Sequence, residues 1–98
     1  MRIVWSEAAR DDLRENFLYI AQDNPNAARR LLGVIKDKAI ALLDNPYIGR
    51  TGRVEGTREL VLSGTNYILP YRIIEQEIQI LSVLHGAKQW PDQFSHNK

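Results

Sequence analysis

Cysteine is absent from these 98 residues. That excludes a disulfide framework, a thiolate metal site and a cysteine nucleophile. Histidine is scarce: His85 and His96 stand far apart, with none of the close pairings that zinc sites use, so neither a metal nor a cofactor is expected. No apolar run is long enough for a signal peptide or a membrane span, and a cytoplasmic protein is expected. An excess of either charge is missing as well. Thirteen Lys/Arg against twelve Asp/Glu leave +1, which supplies no global case for nucleic acid.

What is present describes a folded domain. A hydrophobic share of 44% with 26% charged residues argues against disorder, and the length suits one domain with a modest core. Residues 1–45 balance seven basic against seven acidic side chains. Residues 46–72 carry Arg50, Arg53, Arg58 and Arg72 against Glu55 and Glu59, a local excess in which every cation is arginine.

Arg2–Trp5 reads as a first strand. Ser6 follows as a helix N-cap, with Glu7, Asp11 and Asp12 favourably placed near the positive end of the helix dipole. Ala9, Leu13, Phe17, Ile20 and Ala21 recur at helical spacing and leave Arg10, Arg14 and Glu15 to solvent. Asn24-Pro25 caps and opens a second helix, whose stripe is Ala28, Leu31, Leu32, Ile35, Ala39, Leu42 and Leu43. The expected helices span 6–23 and 25–44. Their short connection implies an antiparallel hairpin.

The loop 45–57 holds Gly49, Gly52 and Gly56, but no helix follows and neither phosphate-cradle spacing is matched. It reads as a connection that needs positive φ at several points. Residues 57–85 then read as three antiparallel strands: Arg58–Leu62, Tyr67–Ile74 and Ile78–Leu84. A turn at Ser63-Gly64-Thr65-Asn66 and a polar break at 75–77 separate them. Pro70 cannot donate to a ladder, which predicts a bulge or an unpaired edge beside it. Alternation puts Tyr67, Leu69, Tyr71 and Ile73 on one face, and groups Ile78, Ile80 and Leu84 on one side of the last strand. A polar tail, 92–98, is expected to fray. The fold class is α+β: an N-terminal strand and a helical hairpin packed on a small, mainly antiparallel sheet.

An ordered set of short motifs carries a family resemblance over residues 3–91. Trp5-Ser6-x-x-Ala9-x-x-Asp12-Leu13 and Asn24-Pro25-x-Ala27-Ala28 come first. Asn45-Pro46-x-x-Gly49-Arg50 and Arg53-Val54-x-Gly56-Thr57-Arg58-Glu59-Leu60-Val61 follow. Tyr67-Ile68-x-x-Tyr71-Arg72 and Val83-Leu84-His85-Gly86-Ala87 complete the set. Together they resemble the RelE/ParE superfamily of toxins from bacterial type II toxin–antitoxin modules. The resemblance implies one toxin domain, 1–98, neutralised by a cognate antitoxin protein that meets operator DNA on its behalf, with no membrane partner.

Two activities occur in that superfamily. ParE-like members inhibit DNA gyrase without catalysis, whereas RelE-like members are endoribonucleases that cut mRNA on the ribosome. RNA cleavage needs a base, an acid and cations around the phosphate. Here Ile68, Glu59 and Val61 fall where RelE-like members carry basic residues, which favours the ParE-like reading. In the nuclease alternative the catalytic candidates are His85, whose ordinary pKa near ~6.5 suits proton transfer, with Arg58 and Arg72 on the phosphate. Target or phosphate contact is assigned to Arg50, Arg53, Arg58, His85, Lys88 and Trp90. Arg72 has a structural role open to it, pairing with Glu59 or Glu77. A third reading is a non-toxic module that acts only in autoregulation.

Overall fold

The computed structural model describes residues 1–85. Strand β1 (Arg2–Trp5) leads into helix α1 (Glu7–Ala21) and helix α2 (Pro25–Ala41). Strands β2 (Arg50–Thr51), β3 (Arg58–Val61), β4 (Tyr67–Ile74), β5 (Glu77–Ile80) and β6 (Leu84–His85) follow. The sheet order is β1-β5-β4-β3-β2, with β6 also on β4. β1 runs parallel to β5, and every other pairing is antiparallel. Two helices on a mostly antiparallel sheet is the architecture read from the sequence.

Both helix starts follow from their caps. Ser6 Oγ accepts from Ala9 N at 3.0 Å, and Asn24 Oδ1 accepts from Ala27 N at 3.1 Å, with Pro25 in the first turn. Each cap contributes about 1 kcal/mol. Both helices stop sooner than expected, and α2 stops short of its apolar stripe. α1 ends at Ala21 rather than 23, and α2 at Ala41 rather than 44. Residues 42–44 instead make tight turns, among them Leu42 N to Ala39 O and Leu43 N to Ala41's neighbour Ile40 O. Leu42 stays in the core, but Leu43 swings out to 41% exposure.

One sheet face carries Leu60, Tyr67, Leu69, Tyr71, Ile73, Ile78 and Ile80 against Ala9, Leu13, Leu31, Ile35, Ala39 and Leu42. Alanine at three buried helix positions, 9, 28 and 39, lets the helices lie close to each other and to the sheet. Ile35 on α2 and Leu69, Ile78 and Ile80 on the sheet beneath are fully buried. Each contributes roughly 1.5–3 kcal/mol of transfer free energy.

The last strand departs from the expected continuous run. Tyr71 faces Ile80, yet Ile68 faces Leu84, so three steps along β4 are matched by four on the returning chain. The cause is Pro70. Its carbonyl accepts from Leu81 N at 2.8 Å, so its nitrogen points at the same neighbour without a hydrogen to give, and the neighbour bulges there. The extra residue reverses the side-chain parity. Val83, rather than Leu84, joins Ile78 and Ile80 in the core.

The N-cap of α1 and one residue within it hold the bulge. Ser6 donates from its amide to Ile80 O (3.0 Å) and from Oγ to Leu81 O (3.2 Å). Asp12 Oδ2 accepts from Ser82 Oγ at 2.6 Å and from Val83 N at 3.0 Å. Asp12 therefore serves the sheet, and the dipole role expected of it is secondary.

Candidate functional site

The arginine-bearing edge is built on one carboxylate. β2 pairs with β3 so that Arg50 lies opposite Glu59, whose side chain is 1% exposed. Arg50 donates to Glu59 Oε1 from Nε (3.1 Å) and Nη2 (2.9 Å). Arg53 donates its backbone amide to Oε2 at 3.2 Å and brings Nε to 3.1 Å of the same oxygen. Both guanidinium groups are thus fixed, though their side chains remain 56% and 42% exposed. The sequence places both in the loop 45–57. Arg50 in fact sits in a two-residue strand, and both are anchored to a residue that the family comparison marked only as a missing lysine.

Arg58 is committed to the chain before it. Nη1 donates to Tyr47 O (3.2 Å) and Gly49 O (2.8 Å), and the guanidinium lies 5.0 Å from the centre of the Tyr47 ring. Tyr71 fastens the same segment from below. Its hydroxyl donates to Pro46 O at 2.7 Å and accepts from Gly49 N at 2.9 Å. Burial raises the Tyr71 pKa, against opposing pulls from the Gly49 bond and the Arg58 charge, so the phenol stays a proton donor. A Cβ on Gly49 would stand 2.6 Å from that hydroxyl.

These glycines correct the expectation of several positive-φ positions. Among the three in the loop, only Gly56 has positive φ (83°). Gly49 and Gly52 are required because neighbouring atoms, those of Tyr71 and Thr57, occupy the space of a side chain.

Arg72 bonds neither Glu59 nor Glu77. Its Nε donates to Gln79 Oε1 at 2.7 Å, because Glu59 is occupied by Arg50 and Arg53, and Glu77 by Arg2 at 2.6 Å. His85 lies opposite Tyr67 in the β4–β6 pair, with the rings edge to face at 5.5 Å. Tyr67 in turn donates to Asn16 Oδ1 at 3.1 Å.

The three nuclease candidates are not brought together. Arg58 pairs with Tyr71 and His85 with Tyr67, on opposite sides of β4. Strand spacings put their backbones roughly 17 Å apart. Arg72, next in sequence to inward-facing Tyr71, projects from the other face of the sheet. Lys88, Trp90 and the tail 92–98 lie outside the described residues. Among the described residues no cluster of His, Asp or Glu has the makings of a metal site, and no helix is long and apolar enough to cross a membrane.

Sequence reasoning did not find a groove of about 660 Å³ between β1 and the helical hairpin. Ile3, Trp5, Leu13, Phe17 and Leu32 make its walls apolar, and Arg10, Arg14 and Lys36 stand around it. Among the described residues β1 is an edge strand. Arg2 N and Ser6 N both bond toward β5, so by strand alternation Ile3 and Trp5 turn their amides and carbonyls to the open side. The signal was available: the half-buried Leu13, Phe17 and Leu32 belong to helix stripes whose middle packs fully while this flank does not.

Comparison with known proteins agrees with this architecture. The model of the family "ParE toxin of type II toxin-antitoxin system, parDE" matches residues 3–90. A relative named "Putative toxin Y4kP", from Sinorhizobium fredii (strain NBRC 101917 / NGR234), is 44% identical over 90 residues, covering 92% of this chain and 93% of its own. Among solved structures, a chain of "Chromosomal ParDE TA system from P. aeruginosa" superposes with a TM-score of 0.77 at 28% identity. The match covers 85% of this chain and 92% of that one. The chain belongs to the ParE toxin family of type II toxin–antitoxin systems.

Proposed function

We propose that this ParE-family toxin acts by inhibiting DNA gyrase, as a binder and not as a nuclease, and that a cognate antitoxin silences it. The observation that supports the gyrase reading is the dispersal of Arg58, Arg72 and His85. RNA cleavage needs a base, an acid and a cation within reach of one phosphate, and these three occupy different faces and sides of the sheet. Arg58 is also occupied by two carbonyls.

The groove beside β1 is where an antitoxin segment docks in this reading. An added strand would bond the outward backbone of Ile3 and Trp5, and its alternate apolar side chains would fill the groove. Acidic residues on that segment would meet Arg10, Arg14 and Lys36. A second toxin offers the same basic rim, so charge favours the antitoxin over a copy of this chain. The complete interface is expected to bury on the order of 1,500 Å².

The test is a gyrase supercoiling assay with purified toxin freed of its antitoxin. Inhibition with accumulated cleaved DNA is the expected result, reversed when antitoxin is added back. A folded toxin that leaves gyrase untouched but cuts mRNA on translating ribosomes would overturn the gyrase reading.

A further inference from the structure

We propose that Arg50 and Arg53, clamped side by side on Glu59, form a fork that grips the phosphodiester backbone of DNA. In taking DNA as the ligand we rest on the gyrase reading above. Two features carry the fork itself. Glu59 is buried, yet the two cations it orients are not; a carboxylate that served only to close the core would not need two half-exposed arginines. The donors are also divided in a useful way. Glu59 takes Nε and Nη2 of Arg50 and the Nε edge of Arg53. Among the described residues, Arg50 Nη1 and both Nη groups of Arg53 make no hydrogen bond.

Among the described residues two positive charges stand over one negative, a net single positive charge that matches one phosphodiester. The guanidinium groups are held before the ligand arrives, so little side-chain entropy remains to be lost. Arginine suits this ligand because its planar donors match two phosphate oxygens at once. Tyr47 and Arg58, with the guanidinium 5.0 Å from the ring centre, share this edge but not this face, since Arg58 is in register with inward-facing Tyr71 and Glu59 with Pro70; they are not part of the fork.

The test compares wild type with a triple variant, Arg50→Gln, Arg53→Gln and Glu59→Gln. It removes all three charges together, so no buried carboxylate is stranded. A thermal melt confirms that the variant is folded, and Arg53→Lys with Arg50→Lys provides a second pair that keeps charge but loses the fork. A labelled DNA duplex is titrated by fluorescence anisotropy at low and high salt. With a log–log slope of about −0.9 per phosphate contact, loss of the one contact changes the salt response. Wild-type affinity should fall roughly 3.5-fold more than the variant's between about 50 and 200 mM salt. The lysine pair should fall between the two proteins in affinity.

Equal affinities and equal salt slopes for wild type and the folded triple variant would overturn the fork. So would gyrase inhibition lost in the variant when the wild type has no affinity for DNA, since that assigns the arginines to a protein surface. Wild type that binds DNA through the fork but leaves gyrase active would keep the fork and reject the gyrase reading. A labelled RNA of the same length run in parallel should bind more weakly; tighter binding to RNA would overturn DNA as the ligand.

Discussion

Replacing Asp12 with alanine should destabilise the fold far more than replacing Asp11, although the two are neighbours in the first half of α1. Asp12 Oδ2 accepts from Ser82 Oγ and Val83 N, and both donors belong to buried residues, at 0% and 3% exposure. Ser82 can turn its hydroxyl to another acceptor, but the Val83 amide is fixed by the backbone. Truncation leaves that amide without its carboxylate, at a cost of about 1–3 kcal/mol, and also removes a charge-assisted bond worth about 1.5–3 kcal/mol. These overlap, and about 3 kcal/mol is the expected total. Asp11 touches Arg14 at 3.1 Å with both side chains well exposed, an arrangement worth less than about 0.5 kcal/mol.

Thermal unfolding followed by circular dichroism measures the difference. One kcal/mol moves the midpoint of a domain this size by about 4–8 °C. Asp12→Ala should therefore lower it by about 12–24 °C, and Asp11→Ala by less than about 4 °C. Asp12→Asn, which keeps an acceptor but not the charge, should lie between. Equal and small shifts for both alanine variants would refute the view that α1 fastens the bulge. A cycle with Ser82→Ala should show coupling, because the two side chains share one bond.

Gly49→Ala should cost about 1–3 kcal/mol, since the new methyl meets Tyr71 Oη at 2.6 Å and Glu59 O at 3.0 Å; a melt unchanged from wild type would contradict that contact. Glu75 is the described non-glycine residue with positive φ (54°). Glu75→Gly should thus raise stability, relieving about 1–2 kcal/mol of left-handed strain against about 0.5–1 kcal/mol of added chain entropy. A fall in the denaturation midpoint would refute this. The Glu77 carboxyl is held below its ordinary value first by the hydrogen bond from Arg2, then by that from Gln79. Its contribution is present above the unfolded-state pKa and lost as pH falls through the lower folded one. The melting difference between wild type and Glu77→Gln should accordingly shrink on acidification below about pH 4; a gap that stays constant from neutral to acid pH would exclude the Arg2 pair as its source.

Much of the fold was legible because it rests on local pattern. The stripes Ala9–Leu13 and Ala28–Ile35–Ala39 state a helical period, Ser6 and Asn24 state where the helices begin, and alternation from Tyr67 to Ile73 states which face is inward. The points of departure are those where a distant residue decides. Nothing local to Leu81–Leu84 announces a bulge. It follows from the proline eleven residues before Leu81, once the two are neighbours, and from an aspartate on a helix that reaches it. Strand β2 was missed for the same reason: two residues, Arg50 and Thr51, have no period to display, and only β3 beside them makes them a strand.

The candidate site shows this dependence most sharply in Glu59. Alone in the sequence it is a polar residue inside an apolar strand, at a position where a nuclease of the superfamily would be basic. In the fold it is a buried anion whose two oxygens decide the direction of two arginines, nine and six residues earlier in the chain. An arginine at position 50 or 53 read by itself is a solvated loop cation, and the composition supports nothing stronger. The same arginine held by a buried carboxylate has lost the freedom that makes surface cations interchangeable. Exchange of a basic residue for Glu59 would, in this frame, turn an edge that does chemistry on a phosphate into one that only grips. It ties the missing proton-transfer set and the ordered arginine pair to a single residue, and makes Glu59→Lys an informative substitution. If it restored RNA cleavage while releasing Arg50 and Arg53, catalysis and grip would be alternative uses of the same strand; if it merely unfolded the edge, the carboxylate would be structural first and the grip would follow from it.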